Sequence, residues 1–109
     1  MEDILTKIVA AKKGEVENFK KNENEASLAK YPLFNRMPYS LKNFILDDDK
    51  TGIIAEFKRK SPSKGIIKDK ASPKLITRAY FENGASALSV LTDYSFFGGS
   101  VEDLAEARL

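Results

Sequence analysis

The run Ile53-Ile54-Ala55-Glu56-Phe57-Lys58 carries apolar residues on both parities of an extended chain. A strand of that kind needs cover on both faces, the habit of parallel sheets rather than of half-solvated antiparallel ones. Parallel strands in turn need a long crossover, usually a helix. After a loop from Arg59 to Asp69, Ser72-Pro73 offers an N-cap followed by proline at the first helical position. Leu75, Ile76, Ala79 and Tyr80 make one face of that helix, and Asn83-Gly84 ends it with a residue tolerant of the left-handed conformation. A second strand is expected from Ala87 to Thr92, then a loop from Asp93 to Gly99. Ser100 with Asp103 resembles a capping box opening another helix, which has only begun at Leu109.

The order strand, helix, strand, helix recurs at roughly 34 residues per unit and fits a right-handed parallel βαβ crossover. Two parallel strands alone leave both edges open and lack cover. The alternation itself predicts an α/β chain that is a quarter of something larger. Two βα units would span 51–109, behind an N-terminal helical extension over 1–50. Open edges predict association of the chain with itself or with the missing remainder.

In the extension, Ile4, Leu5, Ile8, Val9, Val16 and Phe19 recur at helical spacing, with Glu2 and Asp3 expected in the first turn. Lys20 to Glu25 is wholly polar and is expected to fray or turn. Pro32 and Pro38 mark an irregular connection, and Ser40 caps a short helix carrying Leu41, Phe44, Ile45 and Leu46. Asp47 to Gly52 reads as a turn.

Composition narrows the chemistry. A hydrophobic fraction of 42% argues against wholesale disorder, and a net charge of +2 is too small to argue for nucleic acid or a membrane surface. Without cysteine there are no disulfides or thiolate metal sites, and without histidine the commonest general base is missing. Acid–base chemistry must then come from Asp, Glu, Lys or Tyr. Neither a signal peptide nor a membrane span is recognisable, so the cytoplasm is the default location.

Residues two apart in a strand share a face. Ile54, Glu56 and Lys58 lie on one side, becoming charged toward the strand's C-terminal end; Ile53, Ala55 and Phe57 lie on the other and suit packing against helices. Barrel enzymes place their chemistry on inward residues at that end. A carboxylate and an ammonium there suit positioning a substrate and neutralising an anion, although the two could simply pair with each other. The segment Arg59-Lys60-Ser61-Pro62-Ser63-Lys64-Gly65 has an anion-binding composition, with a solvated basic loop as the plainer alternative. Phe96-Phe97 either marks a binding surface or folds under to cap the core. Gly98-Gly99-Ser100 resembles, weakly, a phosphate-cradling turn.

Ile53 to Ser63 with Gly65 closely resembles the first-strand signature of the indole-3-glycerol-phosphate synthase family. Gly84-Ala85, Ala87 to Asp93 and Phe96 to Ser100 resemble its second strand and loop, and the N-terminal helices, with Ser40-Leu41-Lys42, its extension. The resemblance implies that the whole is a (β/α)8 TIM barrel, with this chain its N-terminal quarter. It further implies a lyase of tryptophan biosynthesis that needs neither cofactor nor metal. Its substrate is the sugar phosphate 1-(2-carboxyphenylamino)-1-deoxyribulose 5-phosphate, closed to indole-3-glycerol phosphate with loss of carbon dioxide and water. On the same resemblance, Glu56 orients the other catalytic groups, and Lys58 contacts the substrate's anionic groups and assists proton transfer. Ser61 stands near the substrate carboxylate, and Phe97 lines the pocket for the aromatic ring. The family's general-acid lysine, its catalytic glutamate base and its main phosphate cradle belong to later strands and loops, which these 109 residues do not reach. The chain alone is therefore expected to be an inactive fragment. The alternatives are another phosphate-binding (β/α)8 enzyme or a non-enzymatic module whose basic loop or Phe96-Phe97 pair binds a protein.

Overall fold

In the computed structural model, which describes residues 3–67 and 70–109, the chain divides into two units, Met1–Tyr39 and Ser40–Leu109. The first is helical. α1 (Ile4–Asn22) starts at Asp3, which is its N-cap rather than a first-turn residue, accepting from the Thr6 N–H at 2.7 Å. That bond holds the Asp3 carboxyl below its ordinary pKa. The companion expectation for Glu2 falls outside the described residues. The polar stretch from Lys20 does not fray at once, because α1 runs on through Asn22 with Lys20 and Lys21 in its last turn. Cations there oppose the negative end of the helix dipole.

The break comes at Glu23, and Asn24 immediately caps α2 (Glu25–Leu28) through a reciprocal capping box with Ser27. Glu23 accepts from the hydroxyls of Ser27 and Tyr31. Its pKa falls, chiefly through Ser27, while that of Tyr31 rises because its proton is held by Glu23.

The second unit opens with α3 (Leu41–Leu46), whose Asn43 N–H donates to the Ser40 hydroxyl at 3.2 Å. In the turn after it, the N–H groups of Asp49 and Lys50 donate to Asp47, at its side chain and carbonyl respectively. Gly52 then leaves the turn at φ 75°, the left-handed region that favours glycine. Beyond it lie β1 (Ile54–Phe57), β2 (Lys60–Ser61), β3 (Gly65–Ile66), α4 (Pro73–Glu82), β4 (Ala87–Val90) and α5 (Val101–Arg108).

β1 and β4 pair in parallel, with Ile54 opposite Ala87, Ala55 opposite Leu88, Glu56 opposite Ser89 and Phe57 opposite Val90. The fold is thus α/β with a two-stranded parallel sheet, α4 making the crossover and α5 following the second strand. β2 and β3 form a small antiparallel pair inside what the sequence suggests is plain loop. At the lower end, Thr51 donates through both its N–H and its hydroxyl to the Gly84 carbonyl, and the Gly52 N–H donates to Ser86.

On the apolar parity of β1, Phe57 is buried and Ala55 half-buried, but Ile53 stays 57% exposed. Among the described residues Phe57 is the one buried large apolar side chain, at 3% exposure. Thr77 of α4, 2% exposed, returns its hydroxyl to the Pro73 carbonyl at 2.7 Å. A helical threonine can be buried only because that back-bond satisfies its hydroxyl. On the other parity Ile54 remains open to solvent. No helix among the described residues is long and apolar enough to cross a membrane.

Candidate functional site

The C-terminal ends of β1 and β4 lie side by side, and the predicted site residues gather there. Glu56 projects from the open face of the sheet and accepts from the Ser89 hydroxyl at 3.1 Å. The parallel register puts these two residues opposite each other, so the contact follows from strand pairing across 33 positions. Lys58, half-buried, stands just beyond the strand. Among the described residues no ion pair joins Glu56 to Lys58. The pairing alternative is therefore not adopted, and Glu56 takes a neutral partner instead.

Arg59 departs from expectation. Its composition suggested an anion-binding loop, but its Nε and Nη2 donate to the two carboxylate oxygens of Asp103, each at 2.8 Å. Nη1 donates to the Ala71 carbonyl at 2.9 Å, and the guanidinium lies 5.2 Å from the Phe57 ring centroid. Parity explains this: Arg59, like Phe57, faces the helices. Arg59 holds the Asp103 carboxyl below its usual pKa, with further help from Ser100. Ser100 N-caps α5 as its position predicts, accepting from the Asp103 N–H at 3.1 Å. The Asp103 carboxylate, however, is turned mainly to Arg59.

Ser61 lies in β2, 8% exposed. Its Oγ accepts from the Lys64 N–H at 3.1 Å and lies 3.4 Å from the Ser63 hydroxyl. Gly65, at φ 67°, turns the chain back into β3. The hydroxyl-rich segment is thus a folded turn carrying Lys60 and Lys64, not an extended loop.

Phe96 and Phe97 are both half-buried. Their turn is tied down by Asp93, whose carboxylate accepts from the Phe96 N–H at 2.7 Å and whose carbonyl accepts from the Gly99 N–H at 2.7 Å. The Gly98 N–H donates to the Tyr94 carbonyl at 2.9 Å. Both glycine amides are therefore spent inside the turn, which removes the phosphate-cradle reading of Gly98-Gly99. Space explains these glycines: a Cβ on Gly99 would fall 1.9 Å from the Leu91 carbonyl oxygen, and one on Gly98 would press on the Lys60 side chain. The Lys60 N–H donates to the Phe97 carbonyl at 3.3 Å and joins the two loops.

Glu56, Lys58, Ser61 and Phe97 thus occupy the same end of the sheet, with Glu56 and Ser89 in direct contact. Ser89 escaped the sequence reading, and Asp103 reads there only as half of a capping box with Ser100, not as the partner of Arg59. Ser89 becomes visible once Ala87-Leu88-Ser89-Val90 is set in register beside Ile54-Ala55-Glu56-Phe57; Asp103 had no signal beyond its place near the helix start. Among the described residues no group of three or more His, Cys, Asp or Glu side chains is placed to hold a metal ion.

Known proteins of similar sequence bear on this arrangement. Residues 5–109 match the family model described as "Indole-3-glycerol phosphate synthase". A protein of that name from Bacteroides thetaiotaomicron is 47% identical over 110 residues, covering 99% of this chain and 41% of the relative. Its namesake from Bordetella pertussis is 40% identical over 111 residues, covering 99% and 42%. One from Prochlorococcus marinus subsp. pastoris is 43% identical over 107 residues, covering 97% and 36%. The chain spans about two-fifths of the length of these curated relatives. With its whole second unit and nearly all of its first inside the match, the chain belongs to the indole-3-glycerol phosphate synthase family.

Proposed function

We propose that the protein carrying this chain is a carbon–carbon lyase. It closes 1-(2-carboxyphenylamino)-1-deoxyribulose 5-phosphate to indole-3-glycerol phosphate, releasing carbon dioxide and water. The observation that carries this reading is the family match over residues 5–109, which includes the strand that sets Glu56 and Lys58 at one end of the sheet.

In this reading residues 1–50 precede a (β/α)8 barrel and residues 51–109 supply its first two βα units. The outer edges of β1 and β4 pair with the rest of that barrel. The general acid, the glutamate base and the main phosphate cradle come from the part of the relatives that this chain does not span. Glu56, steadied by Ser89, orients the catalytic groups. Lys58 meets the substrate's anionic groups and assists proton transfer; an ammonium that pairs with no carboxylate among the described residues is suited to that task. Ser61 stands at the substrate carboxylate, with Lys60 and Lys64 adding positive charge beside it. Phe97 offers an aromatic wall to the anthranilate ring. The partner is a phosphorylated small molecule, neither nucleic acid nor membrane, and the setting is the cytoplasm.

The test is turnover of the precursor by the full-length protein, followed through the fluorescence of the indole product. Lys58→Met should lower kcat/KM by about 100-fold or more. A full-length protein that leaves the precursor untouched, or a Lys58→Met variant that works at the wild-type rate, would sink the reading.

A further inference from the structure

The β1 strand leads directly into two cations of opposite parity. β1 ends at Phe57. Alternation carried past that end puts Lys58 on the side of Glu56 and Ser89, while Arg59 lies over the Phe57 ring and turns toward the helices. Among its contacts, Arg59 is held by both oxygens of Asp103 in α5, by the Ala71 carbonyl just ahead of the α4 cap, and by the Phe57 ring beneath it. The two charged side chains are largely withdrawn from water, at 16% and 8% exposure. A bidentate pair of this kind has one geometry rather than many, because the planar fork matches the carboxylate. The backbone on either side of Arg59 is also held. Its carbonyl accepts from the Ile67 N–H at 2.7 Å, and the next N–H, that of Lys60, donates to Phe97.

We infer that Asp103 is a positioning residue for the lyase reaction: by locking Arg59 to the helix side of the sheet, it fixes the strand end so that Lys58 stays on the Glu56 side. Asp103 touches neither Lys58 nor the reacting groups. It acts through a neighbour, because rotating the strand end to release Arg59 would swing Lys58 away as well. The same clamp closes the loop from Arg59 to Ala71 across its base and so sets the place of Ser61. The low pKa of Asp103 keeps the clamp charged through the neutral range. This inference rests on the role given to Lys58 above.

A double-mutant cycle in the full-length protein tests it. Asp103→Asn keeps the size of the side chain and removes its charge. It should lower kcat/KM about 10–100-fold, as a small misplacement of a substrate-contacting group does. In a Lys58→Met background the same change should cost less than about 2-fold, because the group being positioned is gone. Asp103→Glu should restore part of the loss. If Asp103→Asn costs as much with Lys58 absent as with it present, Asp103 merely supports the fold and the inference is overturned. Should Asp103→Asn not fold, Arg59→Lys, which gives up the fork and keeps the charge, takes its place in the cycle with the same two outcomes. Absence of lyase activity in the unmutated full-length protein would instead overturn the functional reading, and the inference with it.

Discussion

Ser89 and Glu56 meet through a single hydroxyl-to-carboxylate hydrogen bond of 3.1 Å, directly across the parallel register of the two strands. The contact is exposed, so it adds little to stability. It decides where a carboxylate with several rotamers points.

Ser89→Ala should therefore separate stability from activity. The unfolding free energy of residues 1–109, where the bond is exposed, should change by no more than about 0.5 kcal/mol. The kcat/KM of the full-length lyase should fall about 10-fold as Glu56 loses its orientation. Equal losses in both measurements would show that Ser89 supports the sheet rather than the carboxylate.

Gly99→Ala and Gly14→Ala should act in opposite directions. A Cβ at Gly99 would stand 1.9 Å from a backbone oxygen, so the loop after β4 must shift; the expected cost is about 3 kcal/mol. At Gly14, within α1, a Cβ meets nothing within 4 Å, and alanine should stabilise the helix by about 0.5–1 kcal/mol. Urea titration of both variants checks the pair, and a Gly99→Ala protein of wild-type midpoint would contradict the close approach.

Asp103 should make stability depend on acid pH. Its pKa is lowered in the folded state, so its contribution is complete above the ordinary value of 3.8 and is lost as pH falls through the folded value. Asp103→Asn should cost about 3 kcal/mol near pH 7, because it breaks a largely buried bidentate ion pair to Arg59. The gap between wild type and variant should close as pH drops below 3.8. Urea midpoints of both proteins across pH 3–7 give the answer, and a constant gap would mean that the charge of Asp103 contributes nothing.

The parts of this fold that could be read from the sequence are those dictated by neighbours a few positions apart. Ser40, Ser72 and Ser100 cap helices because a hydroxyl three residues ahead of a backbone N–H can reach it. The parity of β1 placed Phe57 with the helices and Glu56 on the open face. Local pattern fails where distant partners compete for a residue. Arg59, in a run of cations and serines, looked like a ligand for an anion, yet its partner is 44 residues away in α5. Gly98 and Gly99 looked like donors to a phosphate, but their N–H groups close their own turn. The short β2–β3 pairing escaped because two-residue strands have no periodicity to detect. In the candidate site, motif resemblance singled out Glu56, Lys58, Ser61 and Phe97, whereas Ser89 required the register.

The Lys60–Phe97 link between the two loops is made by main chain on both sides. Side chains at these positions can therefore change without untying the loops. Natural variation at the rim is then free to alter the shape and charge offered to a ligand while the rim itself stays closed. Selection for a new substrate and selection for a stable fold would act on different atoms of the same two residues.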